Sequence, residues 1–286
     1  MTVLVTGAGG QLGVDVLAAY AADDVVGLTH AELDIADEAA VAAAVRDHQP
    51  RLVVNAAAYT KVDACETEPD TAWAANALGP WWLARACRDA GAQLVHISTD
   101  YVFDGTATRP YTEFDPINPL SVYGRSKAAG ERLVRQALPA HYIVRTSWVH
   151  GLAGANFVKT MLRLGAERDE LSVVDDQTGS PTFTFDLAPA IRRLVELGRP
   201  GTFHVTNSGA CTWFELARTV FELAGMDVSV KPIDTATYGA PAPRPANSML
   251  DNTFARLTGL EPLPPWRDSL VRLMTQLGAA QRPATT

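Results

Sequence analysis

Cationic charge, cysteine and long apolar runs are all scarce in this sequence. Against 32 Asp+Glu stand 24 Lys+Arg, a formal net charge of -8, and nowhere do more than two basic residues stand side by side. A surface of that sign repels a phosphate backbone, so no nucleic-acid partner is expected. The cysteines are three, Cys65, Cys87 and Cys211, with no CxxC pair. An odd count without such spacing argues against a disulfide framework and suits a reducing cytoplasm. No apolar stretch approaches the roughly 18 residues of a membrane span, so no membrane partner is expected. The opening residues, Met1-Thr2 and then Val3-Leu4-Val5, lack the basic and apolar regions of a signal or transit peptide. The six histidines are scattered without an HxxxH or HExxH spacing, and no GxSxG elbow occurs. Neither a catalytic metal nor a serine hydrolase is therefore expected. A cytoplasmic globular protein of 286 residues is left, long enough for one large or two closely joined domains.

What is present is an alternation. Short β-branched runs at Val3 to Thr6, Val25 to Thr29, Leu52 to Asn55, Leu94 to Ser98 and Tyr142 to Arg145 are separated by helix-forming stretches. Those stretches are Gln11 to Tyr20, Glu38 to His48, Asp70 to Ala90 and Ser121 to Leu138, with Pro50, Gly91 and Pro139 closing three of them. Apolar strands joined by helices mean βαβ crossovers, so the fold class is α/β, a Rossmann-like doubly wound parallel sheet. After Trp148 the alternation loosens. A helix from Asp186 to Leu197 and a strand around Thr202 to Thr206 still read as parts of the first unit. The expected division is residues 1–147 plus about 183–207 for a dinucleotide-binding domain, and about 148–182 plus 208–286 for a smaller discontinuous α/β substrate domain. Tyr238 to Pro245 holds too much proline and glycine for a helix or a central strand, and Gln281 to Thr286 reads as a loose tail.

Gly7-Ala8-Gly9-Gly10-Gln11-Leu12-Gly13 follows the first strand and opens a helix. In that setting glycines let the backbone approach a pyrophosphate, which amides at the positive helix end then bind. As GxGxxG the spacing fails where Leu12 stands; as GxxGxxG, with Gly7, Gly10 and Gly13, it is complete. The acidic residue that usually follows the second strand and selects NAD is absent at Thr29-His30, which favours NADPH. Glu32 and Asp34 lie close behind and keep NADH open, while His30 is placed to meet a 2′-phosphate. Ile35 belongs to the same adenosine-side stretch.

Tyr123 and Lys127 are four residues apart on one helix face behind a capping Ser121. So few lysines occur that a Tyr-x-x-x-Lys pair has a chance expectation of only about 0.1. An ammonium beside a phenol stabilises the phenolate and brings its pKa toward the working range. Thr99, at the end of an apolar strand and 24 residues before Tyr123, can hold a carbonyl oxygen beside the phenol.

With Asn55-Ala56-Ala57-Ala58, these motifs make the chain similar to the extended short-chain dehydrogenases. Within them it most resembles the dTDP-4-dehydrorhamnose reductase family. That closer resemblance rests on Gly9 to Gly13, Asn55 to Asp63, Ser98-Thr99-Asp100-Tyr101-Val102-Phe103-Asp104-Gly105, Arg145 to Gly151, Asp176 to Thr182 and Arg244-Pro245-Ala246-Asn247-Ser248. The resemblance implies reduction of the C4 keto group of a nucleotide sugar by NADPH or NADH. Catalysis would fall to Thr99, Tyr123 and Lys127. Gly7, Gly10, Gln11, Leu12, Gly13, His30, Asp34, Ile35, Asn55, Ala56 and Ala57 would border the cofactor, with Tyr123 and Lys127. Thr60, Val62, Thr99, Asp100, Tyr101 and Trp148 would border the sugar, and Arg244 would take the diphosphate bidentately. Some members hold Mg2+ at a dimer contact through glutamates; Asp15 at the comparable place leaves Mg2+ in doubt, with either a monomer or a homodimer expected. Two other readings stay open: a related nucleotide-sugar epimerase or reductase, and a cofactor-binding regulatory subunit that performs no chemistry.

Overall fold

The computed structural model describes residues 1–280. The tail expected from Gln281 to Thr286 lies outside the described residues. Five strands and six helices make up the first half: β1 (Thr2–Thr6), α1 (Gln11–Ala19), β2 (Asp24–Leu28), α2 (Glu38–His48), β3 (Leu52–Asn55), α3 (Val62–Thr67), α4 (Pro69–Trp73), α5 (Gly79–Ala90), β4 (Gln93–Thr99), α6 (Val122–Ala137) and β5 (His141–Thr146). Beyond them come β6 (Val149–His150), α7 (Phe157–Glu167), β7 (Glu170–Val174), β8 (Thr178–Gly179), β9 (Thr182–Phe183), α8 (Thr184–Glu196), β10 (Gly201–His204) and, later, α9 (Trp213–Ala224).

Six of these strands form one parallel sheet in the order β10-β5-β4-β3-β1-β2. Alternation along each strand explains why the strands read as unbroken apolar runs. Val3, Val5, Leu52 and Val54 point to a core shared with α1 and α8, while Leu4, Val53, Leu94 and Ile143 point to the opposite core under α2, α5 and α6. Burial on both faces is what the α/β reading requires. A third apolar cluster joins α7, β7, α9 and the helix Trp266–Gln276. It meets the sheet through β6 and β9, which pair directly after β5 and before α8.

Local chemistry sets most boundaries. Asp37 caps α2 by accepting from the Ala40 amide at 3.0 Å, and Ser121 caps α6 by accepting from the Gly124 amide at 3.1 Å. Gly91 ends α5 in the left-handed conformation, φ 68°.

Where the sequence predicts one helix from Asp70 to Ala90, the chain is divided. A π-helical turn, Ala74–Leu78, separates α4 from α5, and Pro80 sits in the first turn of α5. The wider turn directs Asn76 inward, which is a recurrent use of π-bulges. Its side chain accepts from the Tyr59 amide at 2.9 Å, donates to the Tyr59 carbonyl at 3.0 Å and donates to Ser126 Oγ on α6 at 3.2 Å. The Pro-rich stretch from Gly239 to Pro245 takes neither helix nor strand, although one helical turn, Thr235–Tyr238, leads into it.

Beneath the sheet ends α6 carries a buried carboxylate, Glu131. It accepts from Arg145 of β5 through two bonds of 2.8 Å, from Arg135 at 2.6 Å and from Ser98 of β4 at 2.6 Å. Burial pushes its carboxyl up, but Arg145, Arg135 and Ser98 outweigh that and hold it at about 2. Because the folded pKa lies below the unfolded value of 4.5, its stabilisation is complete above that pH and is lost as pH falls through about 2. Removing it strands Arg145, which is 3% exposed. Glu131→Ala is expected to lower the unfolding free energy by about 3–5 kcal/mol in a denaturant titration at neutral pH. A cost below 1 kcal/mol would show that the pair carries no such weight.

Candidate active site

In an open parallel sheet, ligands bind outside the carboxyl ends of the strands where the chain's direction of winding reverses. Here that place lies between β1 and β3, the neighbours from which the sheet builds outward in both directions. A cavity of about 560 Å³ opens there. Gly10, Gln11 and Leu12 come to it from behind β1, Ala56 to Ala58, Thr60 and Val62 from behind β3, and Ile97 to Tyr101 from the end of β4. Thr146 to Val149 arrive from β5, Tyr123 and Lys127 from α6, and Gly154 and Trp213 from the later part of the chain.

The glycine turn is a cradle that side chains would fill. Gly7 has φ +70°, and a Cβ there would stand 2.7 Å from the Ala57 nitrogen. At Gly13 a Cβ would stand 2.2 Å from the Gly7 carbonyl oxygen. Both therefore shape the turn from behind, while the first-turn amides of α1 face the cleft as the unpaired donors every helix start leaves. These features fit a dinucleotide pyrophosphate. Asn55 is fully buried behind the loop. It accepts from Thr6 Oγ1 at 2.7 Å and from the Ala57 amide at 3.2 Å, so its own amide must donate to His96 Nδ1, 3.1 Å away. Asn55 thus holds Ala56 and Ala57 at the cleft without lining it.

Thr99, Tyr123 and Lys127 do converge on the cleft. Thr99 Oγ1 donates to Asp100 Oδ1 at 3.0 Å and accepts from the Tyr101 amide at 3.2 Å. Lys127 is 2% exposed and donates to the Ile97 carbonyl at 2.6 Å. Burial lowers its ammonium to about 8, with Glu131 one helical turn away opposing the shift. The phenol of Tyr123 behaves otherwise than its spacing to Lys127 suggests. Burial pushes its pKa well above the ordinary value, with the Thr99 hydroxyl pulling the other way, and Lys127 is not among the groups that shift it. In this arrangement Tyr123 holds its proton firmly at neutral pH. Asp100 is also buried; burial lifts its carboxyl to about 6 against the opposing pull of the Ser248 and Thr99 hydroxyls.

Aromatic rings form the far wall. Trp148 lies parallel to Trp213, centroids 3.5 Å apart and planes 8° apart, and Gly179 presses on the indole so closely that a Cβ would stand 2.4 Å from it. Trp148 takes φ +46°, a strained value for a large side chain and one that tends to mark functional sites. Trp213 is absent from the sequence reading. Thr212 and Glu215 form a capping box that makes its helix start legible, but only tertiary contact pairs it with Trp148. On the other side Tyr101 meets Tyr123 edge to face at 5.7 Å.

Several expected residues stand elsewhere. His30 and Asp34 are exposed, Ile35 is buried in the core under α2, and none of the three lines the cavity. Glu32 turns back to accept from the Thr29 amide and hydroxyl, both at 2.8 Å. Gln11 does line the cleft, but its Oε1 accepts from the Gly151 amide at 3.0 Å and from Asn156 Nδ2 at 2.9 Å, tying the glycine loop to the segment after β6. Arg244 lies outside the lining, paired with Asp63. Among the described residues no group of three or more His, Cys, Asp or Glu side chains gathers as a metal site, and no helix is long and apolar enough to cross a membrane.

Residues 1–279 match the family model described as the RmlD substrate binding domain. A dTDP-4-dehydrorhamnose reductase of Streptomyces griseus is 47% identical over 290 residues, covering 98% of this chain and 95% of that one. A crystal structure of a dTDP-4-dehydrorhamnose reductase from Clostridium acetobutylicum superposes with TM-score 0.95 at 44% identity, covering 97% of this chain and all of that one, 100%. The same enzyme from Bacillus anthracis, in complex with NADP, superposes with TM-score 0.94 at 43% identity, covering 96% and 99%. A model spanning nearly the whole chain and relatives so close along their full lengths leave one assignment: the chain belongs to the RmlD family, that of the dTDP-4-dehydrorhamnose reductases, and is an oxidoreductase.

Proposed function

We propose that the protein reduces the C4 keto group of dTDP-4-dehydro-L-rhamnose with NADPH, giving dTDP-L-rhamnose, with Tyr123 as the proton donor. The observation that carries this reading is the meeting of Thr99, Tyr123 and Lys127 with the glycine loop in one cleft at the switch point of the sheet. The family membership and the NADP bound by the Bacillus anthracis relative support it. When bound, the reduced nicotinamide supplies the hydride.

Each residue then has a task that its surroundings explain. Thr99 Oγ1 orients the substrate carbonyl oxygen toward the Tyr123 phenol. As the carbonyl carbon gains the hydride, its π pair moves to oxygen, which takes the Tyr123 proton, and solvent later restores the phenol. With its pKa raised by burial the phenol is protonated at neutral pH, and the developing alkoxide is basic enough to take that proton. Lys127, fixed by the Ile97 carbonyl, presents its remaining donors to the nicotinamide ribose. Trp148, stiffened by Trp213 and Gly179, covers the apolar face of the sugar and excludes water. Asp100, a buried carboxyl in the cleft lining, accepts from a sugar hydroxyl. Arg244 meets the diphosphate. In this reading residues 1–147 with about 183–207 hold the cofactor and the rest of the chain holds the nucleotide sugar.

Purified protein given dTDP-4-dehydro-L-rhamnose and NADPH should consume the reduced-nicotinamide absorbance, and Tyr123→Phe should lower kcat by about 10²–10⁴-fold. Cofactor binding without any oxidation would refute the reductase reading, whereas an unimpaired Tyr123→Phe would refute the proton donor alone. Lys127 loses its charge as pH rises through about 8. NADPH affinity is therefore expected to weaken between pH 7 and 9 in a fluorescence titration, and Lys127→Met to abolish that dependence. A profile equally steep in the variant would assign the titration to another group.

A further inference from the structure

The cations that reach the cleft are few. Among the described residues lining it only Lys127 is cationic, and its ammonium is enclosed behind Tyr123 on the Ile97 carbonyl. A nucleotide sugar brings a diphosphate, so its charge must be met at the rim, in a chain whose net charge is -8. Arg244 stands at that rim, held by Asp63, the neighbour of the cleft residue Val62. Yet its fork is already taken: Arg244 Nη1 donates to Asp63 Oδ1 at 3.0 Å and Nη2 to Asp63 Oδ2 at 2.9 Å. That is the geometry in which a guanidinium also grips a phosphate.

Asp63 stands next to the cleft residue Val62 in the first turn of α3, and it holds more than the guanidinium. Its Oδ1 also accepts from the Ala242 amide at 3.1 Å, and Arg244 donates back to the Ala242 carbonyl at 3.0 Å. Beyond this point the chain is anchored independently. Asn247 donates to the carbonyls of Ala107 and Arg109, and the Ser248 amide donates to the Thr178 carbonyl. For residues 240–244, by contrast, the hydrogen bonds among the described residues all run to Asp63 or stay within the segment. One carboxylate therefore clasps the Pro-rich strap to the cleft wall. Asp63 is the partner that can leave, because its side chain is 44% exposed and water can take over its charge, whereas the Arg244 side chain is only 16% exposed.

Resting on the nucleotide-sugar reading above, we propose that Asp63 is a stand-in for the substrate diphosphate: it occupies the Arg244 fork and yields it when a nucleoside diphosphate arrives, so that strap and substrate are engaged by the same guanidinium. Asp63 is then a positioning residue that tunes affinity by competing for Arg244. Its removal should strengthen binding of the diphosphate, the opposite of what a residue that merely orients Arg244 would do.

Calorimetric titration with dTDP decides this. Asp63→Asn should tighten dTDP binding about threefold to fivefold, the scale of releasing a partly exposed ion pair. Arg244→Ala should weaken it at least about tenfold. In the Arg244→Ala background Asp63→Asn should give no tightening, since there is no fork left to release. Asp63→Ser provides a second replacement, and NADPH titration of each variant shows that the cofactor cleft is intact. Weaker or unchanged dTDP binding in both Asp63 variants overturns the proposal, as does a tightening that persists without Arg244 and therefore reflects plain charge repulsion. If Arg244→Ala leaves dTDP affinity unchanged, the diphosphate assignment fails and this proposal with it. Absence of NADPH oxidation by the unaltered protein would sink only the reductase reading.

Discussion

One buried carboxylate fastens the helix that carries Tyr123 and Lys127 to the sheet that forms the cleft. Glu131 on α6 is gripped by Arg145 from β5 and Ser98 from β4, with Arg135 closing the ring from its own helix. Tyr123 and Lys127 lie two turns and one turn before it, so the rotation and height of α6 over the strand ends set where both groups stand. Such a pair is a poor source of net stability compared with apolar packing, but it is strict about geometry. Ser126, between the two, is held in turn by Asn76 from the π-helical turn. Position, more than strength, is what this network supplies.

Burial then decides the protonation states. Lys127 would carry an ordinary ammonium in water; burial under the sheet edge lowers its pKa to about 8, Glu131 opposes that shift, and the ammonium donates a hydrogen bond to the Ile97 carbonyl. Tyr123 is driven the other way and keeps its proton. A lysine that lowers the phenol's pKa is the obvious inference from their spacing, yet Lys127 is not among the groups that shift Tyr123, and burial raises it. His96 follows the same rule: enclosed, it stays neutral and accepts from Asn55, which fixes the wall against which a cofactor would lie.

Besides the apolar packing of α8 and β10 with the sheet, a few specific polar contacts join the later half of the chain to this apparatus. Gln11 reaches from the glycine turn to Gly151 and Asn156, Ser147 donates to the Ser180 carbonyl at 2.6 Å, and Asp63 holds Ala242 and Arg244. Each contact touches the cleft or its rim. A ligand that fills the cleft therefore bears on the joints between the halves.

Much of this was legible in the residues themselves. Strands buried on both faces must be apolar throughout, so the parallel sheet could be read from β-branched runs. A Cβ at Gly7 or Gly13 would collide with backbone, so the turn announces itself by its glycines. The four-residue spacing of Tyr123 and Lys127 follows from helical geometry, and Ser121 marks where that helix starts. Contacts distant in sequence were not legible. Trp213 pairs with Trp148 across 65 positions, and Asn76 turns inward only because the helix widens into a π turn that no propensity encodes. Arg244 finds Asp63 rather than the cleft. The sequence by itself determined the fold class, the glycine turn and the shared helix face of Tyr123 and Lys127, because each depends on local periodicity or on the absence of a side chain. Only the tertiary structure decided which charges are buried, which partner each cation takes and which rings close the cleft, because desolvation and pairing depend on neighbours brought together by the fold.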